Sequence, residues 1–237
     1  DGGWGWWIEY DSDPYLSAYV FLGLSEASKA NFTVDKQVLK NAEIFLIKQL
    51  SSSVKYISLD TKAFILYSLI GNSNLSSYAS NLYQRRFELS IENRARLSAV
   101  LKSIGMESTG KKLHDELLSM VKKTNTASHW EEPKNKSYYF GSNISATAAM
   151  LETMVLYNTN NPLIPETVRH ILTTRRDNHW GSTKDTAMVL KALAKQLLVK
   201  GDQKVNETYN ILFSGKVFKN GQFTKEDLFK MQEYIID

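Results

Sequence analysis

Cysteine is absent from this 237-residue chain. Disulfide bonds, cysteine-ligated metal sites and cysteine nucleophiles are therefore excluded within it. No run of about 20 apolar residues occurs, so we expect no direct insertion into a membrane. The 29 Lys and Arg residues are scattered along the chain and form no basic run. We therefore expect no nucleic-acid partner.

Metal-ligand spacing is also missing. The four histidines, His114, His129, His170 and His179, form no pattern that suits a metal ion. We expect neither a metal site nor a cofactor. The composition itself, 43% hydrophobic and 23% charged, is that of a globular domain with a sizeable core.

Apolar periodicity predicts one helix after another up to about residue 200. Asp13 and Pro14 form a helix-start signal, an N-cap followed by proline at the first helical position. Asp60 precedes the third helix and Gly71 ends it. The predicted helices cover about 13–28, 34–50, 61–71, 75–87, 91–104, 107–123, 143–157, 165–176 and 183–200.

Two apolar patterns alternate along these helices. Segments 15–24, 63–70, 146–156 and 186–199 are apolar nearly all round, whereas the helices between them carry one apolar stripe. A helix that is apolar all round is buried on every side, and a striped helix covers it. This pattern predicts an all-α fold, an α/α toroid of inner and outer helices, with 91–104 as its least clear inner member. A full double ring needs more helices, so the toroid is either open or incomplete at its N-terminal side.

The tail has a different character. Residues 207–223 favour strands and contain a Ser-Gly-Lys turn and an Asn-Gly turn, and 231–237 is another strand candidate. We therefore divide the chain into a helical domain, 1–202, and a β segment, 203–237, which begins or returns to an adjacent β-domain.

A tryptophan turn precedes three of the apolar helices. It reads DGGWGWW at 1–7, HWEEP at 129–133 and DNHWGSTKDT at 177–186. The packing interpretation is that each turn staples an inner helix to its neighbours, with Trp130 and Trp180 as structural residues. The functional interpretation is a shield or an interface. Its residues at the first turn are Trp4, Trp6, Trp7, Tyr10 and Tyr15.

These motifs, in this order, resemble the thioester-containing domain of the alpha-2-macroglobulin and complement family, especially its bacterial members. WGSTKDTAMVLKAL resembles the start of a family helix, with Lys184 where the family usually has Gln. The resemblance implies a broad-spectrum protease inhibitor that traps target proteinases, acts outside the cytoplasm and packs its toroid beside β-domains of the same chain. It implies an inhibitor module and no turnover enzyme.

The family's thioester joins a Cys and a Gln of a Cys-x-Glu-Gln motif, which this chain lacks. The resemblance places that motif upstream of Asp1, so we expect the chain to be the C-terminal part of such a domain, with no catalytic residue of its own. Complement members carry a catalytic His near the position of Asp11, and none is present here. Any thioester is then expected to prefer amines.

Two alternatives stay open at this point. One is a scaffold-only family member without a thioester. The other is a toroid enzyme of the terpenoid-cyclase or glycosidase type, for which Glu131, Glu132, Asp11 and Asp13 are the acidic candidates. Helix capping explains Asp13, and adjacent carboxylates such as Glu131 and Glu132 point in different directions. Acids lining the mouth of the ring would favour the enzyme.

Overall fold

The computed structural model describes residues 1–7, 9–51, 57–71, 74–133, 141–200 and 207–224. The helical part of the fold dominates these residues, and a short β segment follows it, as the sequence predicted. The helices are α1 Pro14–Lys29, α2 Lys36–Ser51, α3 Leu59–Ser68, α4 Ser76–Gln84, α5 Ile91–Ser103, α6 Glu107–Leu118, α7 Asn143–Tyr157, α8 Leu163–Thr173 and α9 Thr183–Lys200. The strands are β1 Lys122–Lys123, β2 Ser128–His129, β3 Glu207–Phe213 and β4 Lys216–Phe223. The chain forms two compact units, Asp1–Gln196 and Leu197–Asp237.

Most helix starts follow from local capping chemistry. The Asp13 carboxylate accepts a hydrogen bond from the Leu16 amide at 2.7 Å, and Pro14 is the first helical residue. The start of α3 lies two residues before its expected position, because Ser58 rather than Asp60 is the N-cap and accepts from the Thr61 amide.

The expected end of α6 at residue 123 is wrong. The helix ends at Leu118, and Lys122–Lys123 then pairs antiparallel with Ser128–His129. The short hairpin turns the chain back toward the first residues of α7.

Helices α3, α5 and α7 run parallel, with their first residues at the same end. Asp60 at the start of α3 accepts a hydrogen bond from the Ser90 amide, which precedes α5. Ser145 in the first turn of α7 donates to Glu92 in the first turn of α5. At the far end, the Tyr157 hydroxyl of α7 donates to the Ser98 carbonyl of α5.

Burial separates the helices into two classes. All eleven residues from Ser145 to Val155 of α7 are buried, and so are the six from Ala63 to Ser68 of α3. Helix α8 buries only one face, and Leu172 on its other side is 53% exposed. The burial of α3, α7 and α8 matches the predicted inner and outer pattern, whereas α1, expected to be buried nearly all round, buries only four of its sixteen residues. Closure into a toroid stays a prediction.

Helix α5, the least clear inner helix in the sequence, is confirmed as an inner helix, because ten of its thirteen residues are buried. A second burial expectation is wrong. Helix α9 was expected to be buried on every side, but Leu190 is 54% exposed. Within the described ranges, no helix combines the length and the apolar composition that a bilayer crossing requires.

The β segment is an antiparallel hairpin of β3 and β4. Its turn lies at Ser214 and Gly215, both of which have positive φ. The expected Asn-Gly turn is wrong, because Gly221 lies within β4 opposite Tyr209. A Cβ at Gly221 would come within 2.5 Å of the Tyr209 ring, so glycine permits close contact here. The strand candidate at 231–237 lies outside the described residues.

Lowering the pH is expected to destabilise the helical unit through His114. This side chain is 2% exposed and stacks on Tyr157 with ring centroids 4.7 Å apart. Burial lowers the pKa of His114 from 6.5 to about 4. The unfolded chain therefore takes up the proton first, and stability that is present above pH 6.5 is lost as the pH falls toward 4.

Urea unfolding between pH 7 and pH 4.5 tests this contribution. The His114→Phe variant keeps a stacking ring and does not titrate, so its stability is expected to fall less with pH than that of the wild type. The exposed His179 provides the control, and His179→Gln should keep the wild-type slope. Equal slopes for His114→Phe and wild type would contradict the assignment.

Candidate functional site

The turn before α7 links two helices through Trp130. The Trp130 indole N–H donates to the carbonyl of Leu117, in the last turn of α6, at 2.7 Å. Its backbone N–H donates to the Thr147 hydroxyl of α7 at 3.1 Å. Trp130 is fully buried. One residue therefore joins the end of an outer helix to the start of an inner helix.

Trp180 repeats this arrangement before α9. Its indole N–H donates to the Ile171 carbonyl near the end of α8 at 2.6 Å. Its backbone N–H donates to the Thr186 hydroxyl of α9 at 3.0 Å, and that hydroxyl donates back to the Trp180 carbonyl. Helices α6 and α8 must therefore end where α7 and α9 begin, which sets them antiparallel to the inner layer.

The first turn shares the backbone part of this geometry. The Trp4 amide donates to the Ser17 hydroxyl of α1 at 2.8 Å, and this hydroxyl donates back to the Trp4 carbonyl at 3.2 Å. Trp4 is half-buried and packs against the core. In each of the three turns, the tryptophan backbone amide thus donates to a hydroxyl near the start of the following helix.

The residues after Trp4 form a surface that we call the aromatic loop, residues 5–7 and 9–12. Trp6, Trp7 and Tyr10 are 57%, 72% and 72% exposed. The loop is closed by hydrogen bonds from the Tyr10 amide to the Trp7 carbonyl and from the Asp13 amide to the Trp4 carbonyl. It borders an open hollow of about 870 Å³.

Tyr15 lies apart from these exposed aromatic residues. Its ring contacts Phe64 of α3, with centroids 4.9 Å apart. Burial raises the pKa of Tyr15, which keeps its hydroxyl neutral. The structure therefore brings Trp6, Trp7 and Tyr10 together at the surface and places Tyr15 against the inner helices.

Of the acidic candidates for an enzyme, Glu132 is hydrogen-bonded to the start of helix α5. Its two carboxylate oxygens accept from the amides of Ile91 and Glu92 at 2.8 and 2.9 Å. The N-terminal end of a helix favours such an anion. Glu131 contacts His129 instead, at 3.1 Å, so the adjacent carboxylates do point to different partners.

A buried ion cluster, which the sequence analysis did not predict, lies between α5, α7 and α9. Glu92 is 2% exposed and accepts hydrogen bonds from Arg96 at 2.5 Å and from Ser145 at 2.8 Å. Lys184 of α9 lies 3.1 Å from the same carboxylate. Burial lowers the pKa of Lys184, and the charge of Glu92 opposes that effect. Lys184, which stands where the family usually has Gln, thus has a buried counter-charge.

A second buried ion pair, between Glu152 of α7 and Lys191 of α9, lies farther along these two helices. The Glu152 carboxylate of α7 accepts from the Tyr67 hydroxyl at 2.6 Å and from Lys191 at 3.0 Å. Burial alone would raise the pKa of Glu152, but Lys191 and Lys195 outweigh it and lower the pKa. The space beside this pair has a volume of about 10 Å³, no more than one water molecule needs.

Sequence patterns give only a weak signal for this cluster. Glu92 and Arg96 are four residues apart, which places them on one helix face, but exposed pairs on helices share this spacing. The signal that could have been used is that Glu92 and Arg96 lie on α5, which follows the apolar helix α3 and precedes the apolar helix α7 in the predicted series of inner helices. Lys184, the partner of Glu92, and Lys191, the partner of Glu152, are distant from them in the sequence, so periodicity cannot identify these pairs.

Two of the four histidines form a stacked pair. The rings of His129 and His170 are 4.4 Å apart and nearly parallel. Burial and the neighbouring His129 lower the pKa of His170. Among the described residues, no group of three or more acidic or histidine side chains is placed to hold a metal ion.

Comparison with solved structures identifies a shared fold. A Salmonella alpha-2-macroglobulin structure, described as reacted with methylamine, matches 94% of this chain with a TM-score of 0.69 at 15% identity. An Escherichia coli alpha-2-macroglobulin structure, native and spanning domain MG7 to the C-terminus, matches 94% with a TM-score of 0.67 at 16% identity. A further E. coli structure, activated by porcine elastase, matches 96% with a TM-score of 0.65 at 17% identity.

The resemblance inferred from the motifs is therefore confirmed at the level of the fold. This chain spans 14%, 35% and 21% of the lengths of those three structures. No protein-family model and no curated protein matches the sequence.

Replacing Trp130 is expected to destabilise the helical unit. Trp130→Phe removes the indole donor from the Leu117 carbonyl and leaves unfilled volume, which should cost about 2 kcal/mol or more of unfolding free energy. Trp7→Phe, at an exposed position, should change it by about 0.5 kcal/mol or less. Urea unfolding monitored by circular dichroism measures both, and similar small effects would contradict the role of the indole bond.

Replacing Glu92 is expected to remove the counter-charge that two buried cations share. Glu92→Gln should cost about 3–5 kcal/mol, because Arg96 and Lys184 lose their shared counter-charge. The control is Glu107→Gln, whose side chain is 63% exposed beside Lys102 and should cost about 1 kcal/mol or less.

Adding Lys184→Gln to Glu92→Gln removes one of the two cations that lost the Glu92 charge and should restore part of the stability. The same urea unfolding curves measure this recovery. No recovery in the double variant, or equal losses in Glu92→Gln and Glu107→Gln, would contradict the proposed balance of charges.

Proposed function

We propose that this chain is the C-terminal part of the thioester-type domain of an alpha-2-macroglobulin-like protease inhibitor. The observation that carries the proposal is the fold match over 94% of the chain to the Salmonella protein that reacts with methylamine. The matched E. coli protein is activated by a proteinase, porcine elastase. By analogy, the parent protein traps target proteinases outside the cytoplasm.

The domain would be an α/α toroid that packs beside β-domains of the parent chain. Parallel inner helices and one-sided outer helices support this architecture. The tryptophan turns at Trp130 and Trp180 would be structural residues that join the two layers. The hairpin of β3 and β4 would belong to one of the neighbouring β-domains.

The reactive thioester would lie outside this chain, since its Cys and Gln are not among these residues. A thioester survives only where water is kept away from its acyl carbon until activation. Trp4, Trp6, Trp7 and Tyr10 would shield it, with Tyr15 fixing α1 beneath them. With no His near Asp11, the expected acceptors of the acyl group are amines.

The arrangement of the buried acids supports an inhibitor module over a toroid enzyme. Glu92 and Glu152 are each paired with cations, and the space beside Glu152 is too small for a substrate. A glycosidase requires two carboxyl groups that both reach a bound sugar. Both carboxylate oxygens of Glu132 accept hydrogen bonds from amides at the start of α5, so Glu132 does not supply one of these two carboxyl groups.

The test uses the full-length parent protein and its mass before and after treatment with methylamine. The proposal predicts one methylamine adduct on a Gln upstream of Asp1 and one new free thiol, because aminolysis of a thioester forms an amide and releases the thiol. Pretreatment with iodoacetamide serves as the control and should leave the adduct unchanged, since the intact thioester holds no free thiol. No adduct, together with no upstream Cys-x-Glu-Gln, would identify a scaffold-only protein instead.

A further inference from the structure

The hairpin of β1 and β2 meets α8 through a stacked pair of histidine rings. His129 of β2 and His170 of α8 have ring centroids 4.4 Å apart, and their planes differ by 7°. One helical turn before His170, Glu166 accepts a hydrogen bond from the Ser128 hydroxyl of β2. We call this contact, made by Ser128, His129, Glu166 and His170, the histidine joint. Because histidine changes its charge near neutral pH, the charge of the joint depends on pH.

The histidine joint is held weakly for a buried contact. Nδ1 of His129 and the hydroxyl oxygen of Thr167, which lies one helical turn before His170, are buried without a hydrogen-bond partner among the described residues. A buried polar atom without a partner costs free energy in the closed structure. The hairpin has strands of only two residues, so it depends on α8 for its stability. Release from α8 would therefore also unfold the hairpin.

Cations outnumber carboxylates on the elements that meet at the joint. Lys122 lies opposite His129 in the antiparallel register of the hairpin, and Glu131 lies 3.1 Å from Nε2 of His129. The acids near the end of α6 have cationic partners of their own, and residues 143–149 of α7 carry no charge. On the hairpin, α8 and the turns after them, the cations are Lys122, Lys123, Arg169, Arg175 and Arg176, and the carboxylates are Glu131, Glu166 and Asp177.

The first and the second proton have different effects on the two rings. A single charge on His129 is balanced by the Glu131 carboxylate. A second proton places like charges on rings whose centroids are 4.4 Å apart, where cations already outnumber carboxylates. Burial and the neighbouring His129 lower the pKa of His170, so the closed joint resists the second proton.

Acid therefore favours the open joint. Opening exposes His170 to water, where a histidine has a pKa of about 6.5. The open joint takes up the second proton at a higher pH than the closed joint does. The stability that neutral His170 contributes is complete above about pH 6.5 and is lost as the pH falls through its lowered pKa.

We propose that the histidine joint is a pH-sensitive switch: acidification releases the hairpin from α8, while the rest of the helical unit stays folded. The unit keeps its links on both sides of the joint, because the indoles of Trp130 and Trp180 donate to carbonyl groups and do not titrate. The inference goes beyond the proposed inhibitor function and does not depend on a thioester.

Amide hydrogen exchange followed by NMR tests the switch on the 237-residue chain at pH 7.5 and pH 5.0. After correction for the intrinsic pH dependence of exchange, protection of the hairpin amides is expected to fall about tenfold, because each unit of lowered pKa is a factor of ten in the opening equilibrium. The opening is local, so at pH 5.0 about 1 M urea should leave hairpin exchange unchanged while it speeds exchange in α7. This difference separates release of the hairpin from the global loss of stability assigned to His114.

Histidine variants assign the change to the joint. His170→Phe keeps a ring against His129 and does not titrate, so the fall in hairpin protection should shrink to about twofold or less. In His129→Phe the like charge is absent, so the pH midpoint of the His170 ring titration, measured by NMR, should rise. The control His179→Gln replaces an exposed histidine outside the joint and should leave both results as in the wild type.

Three exchange results would overturn the inference. They are hairpin protection that does not change with pH, a fall of equal size in His170→Phe, and hairpin exchange that rises with urea as steeply as that of α7. If His170→Phe fails to fold, the ring titration decides, because a His170 midpoint that stays in place in His129→Phe would also contradict the switch. None of these results bears on the methylamine test of the parent protein, so the two proposals fail separately.

Discussion

A hydrogen bond from a buried indole N–H to the last turn of a helix fixes how the layers of this fold meet. Trp130 and Trp180 donate to the carbonyls of Leu117 and Ile171, which also accept from the Met120 amide and the Thr174 hydroxyl. The amides of the two tryptophans bind hydroxyls of the next helix. The relative positions of an outer and an inner helix are thereby set by one side chain.

The inner helices then converge with their positively polarised ends on one side. Carboxylates accept hydrogen bonds from the amides at such an end, as Glu132 does at the start of α5. Deeper in the layer, Glu92 and Glu152 are matched by cations from α5 and α9. Ion pairs of this kind contribute little net stability, but removing one partner is costly, so they favour one relative placement of the helices.

Much of the fold could be predicted because local chemistry determines it. Asp13 and Pro14 mark the start of α1, and the bounds of α7 and α9 agree with the apolar pattern. The end of α6 could not be predicted, because Lys122 and Lys123, which the pattern placed in the helix, pair instead with β2. The exposed side of α9 at Leu190 was missed for a related reason, since an apolar pattern records what a helix can bury and not what covers it.

The candidate site was only partly visible in the sequence. The recurring tryptophan turns are local motifs, and the exposed aromatic loop is one of them. The buried ion cluster depends on contacts between α5 and α9, where Glu92 meets Lys184 across 92 positions of sequence. Charged residues usually face solvent, so a single sequence gives only a weak indication that these are buried.

Hydrogen exchange of the five tryptophan indoles tests the central claim most directly. NMR would follow each indole N–H in deuterated buffer under native conditions. The Trp130 and Trp180 indoles are expected to exchange only at the rate of global unfolding, whereas that of the exposed Trp7 exchanges within the dead time. Fast exchange at Trp130 and Trp180, or rates at these two sites that differ widely, would contradict a fold held together by its tryptophan turns.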